Sequence, residues 1–323
     1  MSLHSLGTAR RVQRLRRAQA VVIDPGLWVS QRSLVLELAS SGVALVAPDD
    51  QDDTAELRSF TGVEHTGALS DVRVRELHSV RVRRRALQST HRSDRDRKIS
   101  VVMATQRPDC LSPALDMIAR QLRQPHEVLV GLHGDGFAPG IEERLGRGGV
   151  EFRRYDAAWN LGEILHDLTR ATTGELVTKW DDDDWYGSHH LQDLESALDY
   201  SRADLVGKAA EFVYLEDVGV TLRRMAVGAE TYSTTLAGGT LMVRRRAYDR
   251  AGGWPPTARN VDRGLVDRVL GGGGVVYRTH GYEYVLRRTA GGHTWSASSS
   301  YFIRQSVEQR SGLDLAFAGF GDD

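Results

Sequence analysis

The 323-residue chain predicts an α/β protein. Residues 98–323 read as a Rossmann-like mixed sheet flanked by helices, and residues 1–97 as a small β-α-β extension with a basic linker. Three observations carry this reading. From Ile99 to Trp180, short apolar runs alternate with amphipathic ones in the order strand, helix, strand, short strand, helix, strand, which builds half of a doubly wound sheet. The last of these strands runs straight into four aspartates, Asp181, Asp182, Asp183 and Asp184. Residues 93–97, Ser-Asp-Arg-Asp-Arg, hold no apolar side chain and mark the boundary between the two parts.

In the extension, residues 10–17 are rich in arginine and predict a short exposed helix. Residues 20–24 predict a strand, 33–40 a helix, and 43–47 a second strand after the turn at Gly42. A β-α-β unit implies parallel pairing. The acids Asp49, Asp50, Asp52 and Asp53 precede a predicted helix at residues 54–60, where acids favour a helix start. Residues 72–98 are strongly basic and read as a solvated helix plus linker rather than a phosphate- or lipid-facing patch.

In the second part, residues 99–104 predict a buried strand leading into Thr105-Gln106-Arg107-Pro108. A helix follows with Leu111, Leu115, Ile118 and Leu122 on one face. Residues 127–132 and 152–155 predict strands, and residues 161–171 a helix with Leu161, Leu165 and Leu168 aligned. Residues 175–180 form the strand before the aspartates, and Tyr186 is expected to open the next helix. Beyond residue 200, strands are predicted at 204–215, 233–243, 275–278 and 282–288, and helices at 245–251 and 261–270.

Bulk properties narrow the classes. The net charge of −1 gives no electrostatic case for nucleic acid, so no nucleic-acid partner is expected. Cys110 is the only cysteine, which excludes a disulfide framework and a thiolate cluster. No apolar run approaches transmembrane length, and residues 1–4 lack the core of a signal peptide. The expectation is a cytoplasmic protein, peripheral at a membrane at most, with homo-oligomerisation left open.

The aspartate run is the sharpest feature. Adjacent carboxylates repel one another, and a folded site holding them calls for a cation. Oxygen-only ligands suit Mg²⁺ or Mn²⁺, ions that accompany diphosphates. Trp180 and Trp185 frame the run, which separates it from an ordinary solvated acidic turn.

The order of these elements resembles family-2 glycosyltransferases. The resemblance rests on Ile99 to Pro108 with its following helix and strand, the Asp-x-Asp at Asp181 and Asp183, Gly238-Gly239, and Gly252-Gly253-Trp254, and it spans residues 98–303. It implies a GT-A fold, a nucleotide-diphospho-sugar donor, a divalent metal, and inversion at the anomeric carbon. By position it implies metal binding by Asp181, Asp183 and His293, and a general base at Asp262. It implies nucleotide contacts at Ala104, Thr105, Arg107, Asn160 and Gly162, with Asp135 standing in for an aspartate usual after the second strand. Lys179 and Asp182 are expected beside the donor phosphates. The acceptor would be a glycan, a lipid-linked precursor or a small molecule. Asp262 could instead cap the helix after it.

Two other classes compete with this reading. A sugar-phosphate nucleotidylyltransferase needs a Gly-rich loop after the first strand, which Thr105-Gln106-Arg107-Pro108 is not. A non-catalytic nucleotide- or glycan-binding module would share the fold and lack turnover.

Overall fold

The computed structural model describes residues 12–48, 55–62, 67–90, 97–141, 143, 146, 148–224, 228–289 and 297–321. The acids at 49–53 and His293 lie outside the described residues. The chain divides into two units, Met1–Asp96 and Arg97–Asp323.

The first unit runs β1 (Val21–Val22), α1 (Pro25–Ser30), α2 (Arg32–Ser40), β2 (Leu45–Val46), α3 (Ala55–Thr61) and α4 (Val72–Thr90). The predicted parallel pairing holds, with Val21 opposite Leu45 and Val22 opposite Val46. The first strand is shorter than predicted because Asp24 starts a helix: its carboxylate accepts from Leu27 N at 3.2 Å, and Pro25 occupies the first turn. The core gathers Ile23, Trp28, Val35, Leu45, Val82 and Ala86.

The basic stretch departs from its prediction. Val82 and Ala86 on α4 enter this core, while Arg83 and Arg84 are buried. Arg85 donates to the Phe60 carbonyl at 3.1 Å. An arginine stem covers apolar surface while its head finds a carbonyl, so an arginine-rich helix can still pack.

The second unit begins β3 (Ile99–Thr105), α5 (Pro108–Ala119), β4 (Glu127–His133), β5 (Glu151–Tyr155), α6 (Leu161–Ala171) and β6 (Leu176–Trp180). There follow β7 (Trp185–Tyr186), α7 (His190–Ser201), β8 (Leu205–Lys208), β9 (Phe212–Leu215), β10 (Val220–Arg224), β11 (Thr231–Tyr232) and β12 (Met242–Arg244). It ends α8 (Arg245–Arg250), α9 (Val261–Gly271), β13 (Val276–Thr279), β14 (Tyr284–Arg288), α10 (Ser299–Arg304) and β15 (Ser306–Ser311).

The main sheet has eight strands in the order β11-β13-β8-β12-β6-β3-β4-β5. β6, β3, β4 and β5 are mutually parallel, and β12 enters antiparallel between β6 and β8. Helices cover both faces, as the alternation in β3 requires. Ile99, Val101 and Met103 point into one core with α5 and α7; Val102 points into the other with α6, α8 and α9. The result is a mixed α/β fold, a central mixed sheet flanked by helices. Among the described residues no helix is long and apolar enough to cross a membrane.

A second sheet, ordered β15-β10-β9-β14-β7, was not expected. Residues 204–215 are two strands in different sheets, β8 and β9, because an apolar alternation says nothing about which partner each half will meet. Trp185 and Tyr186 pair with β14 instead of opening a helix. Of residues 233–243 only the end is strand, since Gly238–Thr240 forms a 3₁₀ turn. Leu122 is exposed, beyond the end of α5 at Ala119.

α6 is seated by two of the predicted site residues. Asn160 caps it, accepting from Glu163 N at 3.1 Å while Glu163 accepts from Asn160 N at 2.9 Å. Gly162 sits so close to the Pro255 carbonyl that a Cβ there would lie 1.8 Å from its oxygen. Gly162→Ala is therefore expected to lower stability by roughly 2 kcal/mol or more, read as a shift in the urea midpoint. An unchanged midpoint would contradict this close approach.

Candidate functional site

The parallel strands bring their carboxyl ends to one edge. Register pairs Thr105 with Leu132, His133 with Tyr155, and Met103 with Trp180, so the segments after β3, β4, β5 and β6 emerge side by side. That edge carries Ala104, Thr105 and Arg107 after β3, Asp135 after β4, Asn160 after β5, and the aspartate run after β6. Open α/β sheets take their ligands at this edge.

The four aspartates point to four different environments. Asp182 is buried and accepts from the Thr105 hydroxyl and the Arg107 guanidinium, the latter through Nη2 and, at 3.2 Å, Nε. Asp183 takes Arg107 Nη1 at 2.7 Å. Asp184 turns inward, accepting from the Tyr284 hydroxyl at 2.6 Å and the Arg287 backbone N–H at 2.9 Å. Asp181 ion-pairs with Lys179 Nζ at 2.9 Å, and its backbone N–H donates to Tyr186 Oη at 3.0 Å. Lys179 and Asp181 stand two apart on an extended chain and so share a side of the sheet.

Lys179 reaches further. Its buried Nζ also lies 2.8 Å from Asp262 Oδ1. Asp262 is the second residue of α9, whose N-cap position is Asn260 in a left-handed conformation without a side-chain cap. The carboxylate therefore serves Lys179 rather than capping the helix. Asp267, one turn further on, faces away and pairs with Arg263 at 2.9 Å.

Gly238 and Gly239 lie across these carboxylates. A Cβ on Gly238 would stand 2.2 Å from Asp262 Oδ2. One on Gly239 would stand 2.8 Å from Asp181 Oδ2 and 2.9 Å from Asp184 Oδ2. The turn is fastened by Tyr186, whose hydroxyl donates to the Gly239 carbonyl at 2.9 Å. Asp181, Asp183, Asp184 and Asp262, with this turn, line one cavity of about 580 Å³.

Charge is concentrated here. Burial, reinforced by the neighbouring Asp181 charge, raises the pKa of Asp183 and raises that of Asp184 well above its ordinary value. Burial also raises Asp262, partly opposed by Lys179. For Lys179, burial opposes the charge, but Asp181 and Asp262 outweigh it and raise the pKa. Arg107 behaves likewise, burial being outweighed by Asp182 and Asp183.

Among the described residues no three acid, histidine or cysteine side chains are arranged to hold a metal ion. Asp135 is exposed in the turn after β4. Asn160 and Gly162 have the structural roles given above. Sequence reasoning missed Tyr186, which fastens the glycine turn, and Tyr284, Arg224, Arg278, Arg287 and Arg288, which also line the cavity. Arg224, Arg278 and Arg287 sit on three different strands, and arginine is too common in this sequence to single them out.

His190 supports the floor of the site. It is fully buried among Trp180, Tyr186 and Tyr284, with ring centroids 5.5, 4.8 and 6.4 Å away, and neither ring nitrogen has a protein partner. Burial, helped by the Lys208 charge, holds its pKa well below 6.5. The folded protein thus keeps His190 neutral, so its contribution to stability is present above the unfolded imidazole pKa and is lost as pH falls below it. Urea midpoints should fall from about pH 7 to pH 5, and His190→Phe should flatten that fall. An unchanged slope in the variant would exclude His190 as its source.

No family model matches the chain, and no curated protein matches it. Solved structures do. S. aureus TarS residues 1–349 in complex with UDP-GlcNAc is 15% identical over 68% of this chain and 69% of that one, with a TM-score of 0.49. A second structure of TarS residues 1–349 gives 14% identity over 59% and 60%, with a TM-score of 0.45. The mannosyltransferase PcManGT from Pyrobaculum calidifontis, in complex with GDP-Man and Mn²⁺, gives 14% over 59% and 56%, with a TM-score of 0.43. This is a likeness of chain layout; the functional reading rests on the residues of this chain.

Proposed function

We propose that this chain is a metal-dependent glycosyltransferase of the GT-A kind. It moves a sugar from a nucleotide-diphospho-sugar to an acceptor hydroxyl with inversion, and Asp262 is the general base. One observation carries the reading: carboxylates from two separate elements, the run after β6 and Asp262 in α9, meet on one cavity and are joined through Lys179.

The donor set suits a hard cation. Asp181 Oδ2 and Asp184 Oδ2 face the same point, 2.8 and 2.9 Å from where a side chain on Gly239 would begin, and glycine keeps that point clear. Mg²⁺ takes one or two carboxylates and completes its shell with substrate phosphates and water, so a preformed cage is not required. The Asp184 oxygen at that point is already engaged by the Tyr284 hydroxyl, so the ion is given to Asp181 and, on the resemblance alone, to Asp183 and His293, which would hold it. When bound, the ion would offset the charge that develops on the leaving diphosphate.

The chain's own residues do the rest. The acceptor hydroxyl gives its proton to the Asp262 carboxylate as its oxygen bonds to the anomeric carbon. The bond from that carbon to the diphosphate breaks, and its electron pair leaves with the nucleoside diphosphate. A base with a raised pKa is better matched to an alcohol proton than an ordinary carboxylate. Lys179 holds Asp262 and Asp181 at a common distance, so the base and the donor end keep their spacing. Arg107 orients Asp182 and Asp183, while Ala104, Thr105 and Asp135 border the nucleotide.

A second reading, a non-catalytic nucleotide- or glycan-binding module, is favoured by the Lys179–Asp262 ion pair, which engages one oxygen of the proposed base. Hydrolysis of a nucleotide-sugar separates the two, because a binding module releases no nucleoside diphosphate.

Calorimetric titration of UDP, GDP and dTDP with and without Mn²⁺ should reveal metal-dependent binding of one of them, abolished in Asp181→Ala. Retention of that dependence in the variant would remove Asp181 from the metal site. Asp262→Asn should keep nucleotide binding and lose turnover by about 10²–10⁴-fold. In the wild type, kcat/KM should fall as pH drops through a pKa raised from the ordinary aspartate value, since only the deprotonated base acts. Full activity in Asp262→Asn would overturn the base assignment.

A further inference from the structure

The cavity that holds the carboxylates is also lined by two arginines that, among the described residues, make no ion pair. Arg224 ends β10 and Arg278 lies in β13, and both line the cavity. Arg278 donates to the Gly228 carbonyl at 2.9 Å, the Thr235 carbonyl at 3.1 Å and the Thr235 hydroxyl at 3.0 Å. Arg224 donates to the Ala210 carbonyl at 3.3 Å and to Gln305 Oε1 at 2.9 Å, while its buried Nε has no partner. Among the described residues neither guanidinium pairs with a carboxylate.

Neighbouring arginines show that carboxylates are within the fold's means. Arg223, one residue earlier and on the other face of β10, pairs with Glu211 at 2.8 Å and Glu308 at 3.5 Å. Arg287 pairs with Glu216 at 2.9 Å. Arg224 instead lies over Phe302, 5.3 Å from the ring centroid, and Arg288 lies 5.4 Å from the same centroid. Two like charges thus share one aromatic ring beside a cavity. Burial lowers the pKa of Arg224 and Arg278, as expected for cations withdrawn from water. Holding such charges is costly unless an anion completes them.

The source of these residues indicates which substrate they meet. Arg224, Arg278 and Arg288 come from strands β10, β13 and β14, whereas the nucleotide edge is built from β3, β4, β5 and β6. Guanidinium N–H groups recognise a planar or tetrahedral oxyanion; Arg278 is held through all three nitrogens, Nε also donating to the Gly228 carbonyl at 3.3 Å, so it offers its fixed charge, whereas Arg224 keeps its Nε N–H without a partner.

We propose that Arg224 and Arg278 form an oxyanion site in the acceptor half of the cavity, so that the acceptor is an anionic sugar, phosphorylated or carboxylated, rather than a neutral glycan. The word acceptor rests on the transferase reading. The oxyanion site rests on the arginines alone.

The test uses the full chain and three probes, glucose 6-phosphate, glucuronate and methyl glucoside, titrated calorimetrically with and without the nucleoside diphosphate and Mn²⁺. At least one anionic probe should bind about tenfold or more tighter than methyl glucoside, the worth of one charge-assisted contact. Preference between the two anions assigns the group as phosphate or carboxylate. Arg224→Gln should remove the preference and leave nucleoside diphosphate affinity as it was. Arg224→Lys, which keeps the charge and loses the fork, should retain only part of it, and the wild-type ratio itself needs no variant to fold.

Equal binding of charged and neutral probes would overturn the proposal. So would a loss of nucleotide affinity in Arg224→Gln, which would give the arginines to the donor diphosphate. Anion binding that persists when no nucleotide binds would end the transferase reading and leave the oxyanion site standing.

Discussion

The ammonium of Lys179 between Asp181 and Asp262 is the contact on which the site depends. It joins the end of β6 to the start of α9, elements eighty residues apart, inside a region where four consecutive aspartates would otherwise repel one another. Without a cation at that point, two half-buried carboxylates would face each other uncompensated. Arg107 does the equivalent work for Asp182 and Asp183. The two cations leave Asp184 to be satisfied by Tyr284 and a backbone amide. The acidic run is thus held by separate partners from separate elements, and each partner sets where its carboxylate points.

Close backbone approach does the remaining positioning. The Gly238-Gly239 turn crosses directly over three carboxylates, where any side chain would fill the space, and Tyr186 ties it to the start of the run. Gly162 lets α6 approach the segment at Pro255 in the same way. Behind the run, His190 sits neutral in an aromatic cage and fills volume without competing for the site's charges. The cavity that results is lined with acids from β6 and α9 and with guanidiniums from the later strands. Such a division suits a substrate pair of which each member carries its own charge.

Much of the first half was legible because it is local. The strand, helix and strand order from residue 99 to 180 follows from apolar periodicity, and the helix at Leu161–Ala171 matches its predicted bounds. The parallel pairing of β1 with β2 followed from the β-α-β order. Asn160 and Gly162, expected beside a nucleotide from the resemblance, have residue types explained by a helix cap and a close approach. The basic helix α4 was read as solvated because charge composition counts heads and ignores the apolar stems and neighbouring carbonyls that let arginines be buried.

By itself the sequence determined the alternation that makes an α/β sheet and the fact that the aspartates follow a buried strand, since both depend on neighbours within a few residues. Only the tertiary structure decided that residues 204–215 divide between two sheets, that Asp262 meets Lys179 instead of capping α9, and that Arg224 and Arg278 reach one cavity without carboxylates. Strand partners and ion pairs are chosen among segments tens of residues apart, and a periodicity of two or of 3.6 carries no record of that choice.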